Sequence, residues 1–190
     1  MGFFDELPAP EAEPPRPHHP WEPPEAEFPG VVPIDTLQLG RTERVAVAVT
    51  GISAFAAGFE IFVTARIRPG ARDPGNGMPD GPRDLAAARR SFRFGLQLSD
   101  GRKVISRHGG RRPDDDAEPA GPILRPFLGG GGPRSHFSRW WAWPLPPGGP
   151  LEFVCEWPTF GVAETRAGFD AQLILDAARR SVRLWPEDEG

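Results

Sequence analysis

Tyrosine is absent from this chain of 190 residues, lysine occurs once (Lys103) and cysteine once (Cys155). A single cysteine forms no intrachain disulfide, and with His18, His19, His108 and His136 it falls short of a zinc-ligand pattern. No metal and no cofactor are expected. All but one of the 22 basic residues are arginine, which together with the missing tyrosine reads as compositional bias, so arginine abundance carries little functional weight.

Long apolar runs are missing too. The start, Met1 to Leu7, is acidic without an apolar core, so no signal peptide is expected. Val45 to Ile67 is long enough for a bilayer, but Glu60 and Arg66 interrupt it and Gly51 and Gly58 divide it into strand-sized pieces. The expected setting is cytoplasmic, away from membranes.

Glycine and proline are plentiful, 23 and 25 residues, about a quarter of the chain, so part of it must be irregular. Thirteen Phe, 6 Trp and 38% apolar content nonetheless supply a core. The irregular part begins at the N-terminus, where residues 8–29 carry nine prolines among glutamates. Residues 1–29 therefore read as a disordered, acidic, Pro-rich tail. Within it, Phe3, Phe4, Leu7 and Trp21 are the residues suited to docking on a surface. The tail holds net charge −6 of the total −4, leaving the rest slightly basic.

From residue 31 the apolar period is two. Val45, Val47 and Val49 alternate with alanines; Phe59, Ile61, Val63, Ala65 and Ile67 alternate with Glu60, Thr64 and Arg66. Phe92, Phe94, Leu96 and Leu98 alternate with Arg93, Gly95, Gln97 and Ser99, and Asp100-Gly101 then predicts a two-residue turn with Lys103–Ser106 pairing back. Residues 136–143 and 151–157 are two further strands, expected to pair as a hairpin across the turn at Pro144–Pro150, with Cys155 on the apolar side as a core thiol. Near the C-terminus the period becomes helical, from an N-cap at Asp170 to a stop at Pro186.

These patterns predict an all-β fold: an antiparallel β-sandwich of about seven strands over residues 30–186, with one C-terminal amphipathic helix (about 170–185) and a short acidic end (187–190). A closed barrel is the alternative. Two Gly/Pro-rich connections, 69–90 and 107–135, are long enough to be functional or disordered, with Ile123, Leu124, Phe127 and Leu128 in the second expected to tuck onto the sandwich.

Common catalytic signatures fail. Gly51 to Phe55 lacks the second glycine and the helix of a nucleophile elbow. Gly75 to Gly81 has the wrong spacing for a dinucleotide fingerprint, and Gly129 to Ser135 has no lysine for a phosphate loop. Asp114, Asp115 and Asp116 read as a solvated charge run, lacking the alternation of a calcium loop.

Two constellations remain. Trp140 and Trp141 are adjacent, so on a strand they face opposite ways; one of them is expected either to lie exposed beside Arg139 and Glu156, as a stacking surface for a sugar, base or proline, or to lie beneath a long loop or the helix. The second is basic: residues 89–112 carry net +7, including Arg93, Arg102, Lys103 and Arg107 on one hairpin, a surface suited to phosphates or to coverage by the acidic tail. The overall acidity argues against a nucleic-acid partner. The candidate ligand-binding residues are thus Trp140, Trp141, Arg139, Glu156, Arg93, Arg102, Lys103 and Arg107. The expected function is non-catalytic binding, with a protein partner engaged through the Pro-rich tail or exposed aromatics. The alternatives are phosphate or nucleic-acid binding at the basic hairpin, and a hydrolase with a loop-built site drawing on Glu152, Glu156, His108 or His136.

Overall fold

A computed structural model describes residues 18–71, 91–106, 118–132 and 134–185. Among the described residues two antiparallel sheets stack face to face, with no closed barrel. The larger sheet contains β2 (Gly30–Val31), β3 (Leu37–Arg41), β4 (Val45–Ala54), β5 (Phe59–Ile67), β8 (Ile123–Gly132) and β9 (Ser135–Trp143). Its order is β2-β4-β5-β9-β8, with β3 also paired to β4. The smaller sheet runs β11 (Val162–Asp170), β10 (Pro150–Trp157), β6 (Arg93–Gln97), β7 (Lys103–Ile105). A two-residue ribbon joins β1 (Glu27–Phe28) to β12 (Val182–Arg183).

The two-residue rhythm decides which side chains meet. Val45, Val47, Val49, Ile61, Val63 and Trp140 of the larger sheet and Phe94, Leu96, Phe153, Cys155 and Trp157 of the smaller one are all buried between the layers. The Trp140 ring lies 5.3 Å from that of Phe94, bridging the sheets, and its Nε1 donates to Ser138 Oγ at 2.7 Å. In β4 the alternation slips by one residue after Val49, where a bulge shifts the register and returns Ile52 and Ala54 to the core.

Several expectations need correction. Residues 136–143 and 151–157 are not hairpin partners: β9 pairs with β5 and β8, β10 with β6 and β11, in opposite sheets. The Pro-rich segment after Trp143 carries the chain across the sandwich, since prolines cannot feed a sheet interior. The connection expected over 107–135 is a strand from Ile123 onward, and its glycines, Gly129 to Gly132, pair with Ser138 to Ser135. Leu124 is buried there, whereas Phe127 and Leu128 are exposed rather than tucked in. At the β6–β7 turn, Leu98 N bonds Arg102 O and Gly101 N bonds Leu98 O, leaving three loop residues; only Gly101 has positive φ, at 87°. This is a type I turn closed by a left-handed glycine, because Asp100 avoids the strained region that a two-residue turn would demand.

The helix is shorter than expected. α1 spans Ala171–Ala178, with Asp170 Oδ1 accepting from Gln172 N at 2.9 Å as its cap. It ends early because β-branched Val182 pairs with Phe28, and Leu184 N bonds Ala26 O. Ala171, Ile174 and Ala177 are buried, and β2 passes so near that a Cβ on Gly30 would lie 1.9 Å from Ala177 O.

Residues 18–29, read from the sequence as tail, carry contacts to the domain. Trp21 is 8% exposed and His19 stacks on it at 4.7 Å. Glu27 Oε1 accepts from Ala56 N at 2.7 Å. This described part lies over the larger sheet and not over the basic hairpin. The rest of the expected tail, residues 1–17, lies outside the described residues.

Candidate functional site

The outer face of the smaller sheet carries a hollow. Its rows follow from register: Arg93 beside Glu156; Ile105, Gly95, Val154 and Arg166 in the next row; Lys103, Gln97 and Glu152 in the third. Gly95 leaves the middle row without a side chain. Around it lies a cavity of about 250 Å³, floored by Gly95 and Val154 and walled by Arg93, Gln97, Ile105 and Glu164.

Ion pairs frame this hollow. Arg93 Nη2 lies 2.8 Å from Glu156 Oε2, and Arg166 holds Glu152 and Glu164 at 3.0 Å each. Hydrogen bonds to Glu164 first, and to Glu152, raise the Arg166 pKa further. On the turn, Arg102 donates to Asp100, holding that carboxyl below its ordinary value. All these side chains are substantially exposed, so each pair contributes little to stability and serves mainly to fix its partners in place. Among the described residues Lys103 has no such partner.

The expected site residues therefore separate. Arg93, Glu156 and Lys103 share the outer face of the smaller sheet, and Arg102 flanks it. Arg107 lies outside the described residues. Trp140 faces the core at 0% exposure. Trp141 does turn to the opposite face, but it is 1% exposed, covered by Phe55 and by the N-terminal segment, where Trp21 O accepts from its Nε1 at 2.8 Å. The cover among the described residues is thus the N-terminal segment, and neither indole offers a free stacking face. Arg139 is on the larger sheet, its guanidinium 4.6 Å above the Phe62 ring, far in the fold from Glu156.

Other titratable groups find structural surroundings. His136 meets the Trp157 ring edge-on at 6.5 Å. Cys155 is buried, and desolvation pushes its thiol pKa up despite a 3.3 Å contact with Thr165 Oγ1. Among the described residues no three His, Cys, Asp or Glu side chains gather as a metal-binding group, and no helix is long and apolar enough to cross a membrane.

Sequence reasoning passed over Gly95, Val154, Ile105 and Arg166 as site residues. Gly95 did leave a signal: a glycine in the middle of an otherwise clean alternation marks a place where something approaches the backbone. The ion pairs left none, because they depend on which strands become neighbours. Comparison with family models, with curated proteins and with solved structures finds no match to this chain.

Proposed function

We propose that this β-sandwich is a non-catalytic binding module whose contact surface is the outer face of its smaller sheet. The carrying observation is the hollow over Gly95 and Val154, framed by ion pairs, with Lys103 unpaired among the described residues. Apolar floor and fixed polar walls are the make-up of a recognition surface. The carboxylates of Glu152 and Glu156 are held by arginines as hydrogen-bond acceptors, an arrangement that supports binding over acid–base work. A polyanion reading of the hairpin is weakened by the engagement of Arg93 and Arg102 with acids.

The test compares immobilised wild type, Val154→Glu and Phe137→Ala as baits for native lysate, with matched circular dichroism spectra. Phe137 is an exposed aromatic on the larger sheet. The proposal expects proteins retained by wild type and Phe137→Ala to be lost on Val154→Glu. Equal retention by Val154→Glu contradicts it.

A further inference from the structure

The hollow ends at β7, which among the described residues is the outermost strand of the smaller sheet. Leu98 N bonds Arg102 O and Ser106 N bonds Phe94 O, which fixes the alternation of the β6–β7 ladder. Val104, opposite Leu96, then directs its N–H and C=O to β6, whereas Lys103 and Ile105 direct theirs away from it. No other strand among the described residues pairs with β7. The same two residues point their side chains onto the outer face: Ile105 is 71% exposed at the rim of the hollow, and Lys103 stands beside it with no carboxylate partner among the described residues.

From this juxtaposition we infer that β7 accepts an extended peptide as an added antiparallel strand, carrying an apolar residue opposite Ile105 and an acidic residue opposite Lys103. The inference rests on the binding face proposed above and names its occupant. Backbone bonds to Lys103 and Ile105 supply affinity, and the two side-chain contacts supply selection. Antiparallel pairing sets the order as apolar, any residue, acidic, because opposed residues on one face recur every second position. Charge decides the acidic choice: among the described residues of this face Arg93, Arg102 and Arg166 each meet a carboxylate, and Lys103 meets none. A lysine on an edge also disfavours pairing with unselected strands, so the device gives selectivity as well as attraction.

The experiment is an amide-resolved NMR titration of the full chain with the capped peptide Thr-Val-Thr-Glu-Thr and its counterpart Thr-Val-Thr-Lys-Thr, up to millimolar concentration. The expected result is saturable shifts at the Lys103 and Ile105 amides with the acidic peptide, at least about tenfold weaker with the lysine peptide, equivalent to about 1.4 kcal/mol. Lys103→Glu should reverse the preference. Ile105→Pro removes an outward N–H that no described strand uses and should abolish both. Absence of shifts at these amides, equal binding of both peptides, or concentration-dependent shifts without peptide, which would assign the edge to a second copy, overturns the inference. Loss of lysate capture on Val154→Glu with no effect of Lys103→Glu or Ile105→Pro would keep the face and reject strand addition.

Discussion

The indole Nε1 of Trp141 donates to the carbonyl oxygen of Trp21 at 2.8 Å, across 120 residues of sequence. Through this bond the segment entering the domain becomes the lid of an aromatic side chain on the outer face of the larger sheet, which would otherwise stand in water. Trp21→Ala should uncover Trp141 and cost about 3 kcal/mol by urea unfolding. Trp141→Phe removes only the donor and part of the ring, so the cost should be smaller, and a double-mutant cycle should show the two sites coupled. Additive effects would mean that the contact does not hold the segment.

Two buried tryptophans differ in one bond. Trp140 Nε1 has Ser138 Oγ as acceptor, whereas Trp157 Nε1 has no partner among the described residues. Truncation to phenylalanine leaves similar gaps at both, but only Trp140→Phe discards a hydrogen bond. It should be the more destabilising by about 1 kcal/mol in chemical denaturation. The reverse order would contradict the assignment of these two environments.

Close backbone approach gives a third expectation. Gly30 lies against Ala177 O, whereas a Cβ on Gly168 meets nothing within 4 Å. Gly30→Ala should push β2 off α1 and cost about 3 kcal/mol, while Gly168→Ala should stay within about 0.5 kcal/mol of wild type. Melting temperatures of the two variants provide the comparison.

How much of this was legible in the sequence depends on how local the cause is. The strand from Phe92 to Leu98 was readable because alternation is written in consecutive residues, and its four apolar side chains are buried as the period requires. The helix start was readable from Asp170 for the same reason. The cover over Trp141 was not, since nothing near residue 141 points to residue 21. The opposite placement of β9 and β10 was hidden because two strands joined by a short turn pair far more often than they part. The glycines of β8 carry no side-chain period at all, so only their partner strand reveals them. At the candidate site, Arg93, Glu156 and Lys103 were singled out for charge and do share one face; Trp140, Trp141 and Arg139 belong to the other sheet.

Glu60 supplies a pH test. Burial raises its carboxyl pKa, with the Arg139 charge offsetting only part of the shift. A carboxyl raised in the folded state binds its proton more tightly there, so its contribution is complete at acid pH and is lost as pH rises through the raised value. Glu60→Gln should therefore be more stable than wild type at neutral pH. The gap should close as pH falls toward the ordinary carboxylate range, about pH 4. A gap that widens on acidification contradicts this account.

Cys155 offers a probe of the core. With the thiol buried and its pKa raised, labelling by a disulfide reagent at neutral pH should be slow in the native protein and immediate in denaturant. Fast native labelling would place Cys155 outside the interface between the sheets.

The most direct test of the proposed binding face is residue-resolved hydrogen exchange along β7. Val104 pairs with β6, so its amide should be protected, while the amides of Lys103 and Ile105 on either side should exchange at close to unprotected rates. Equal protection of all three would show that the edge is already covered and would contradict the account.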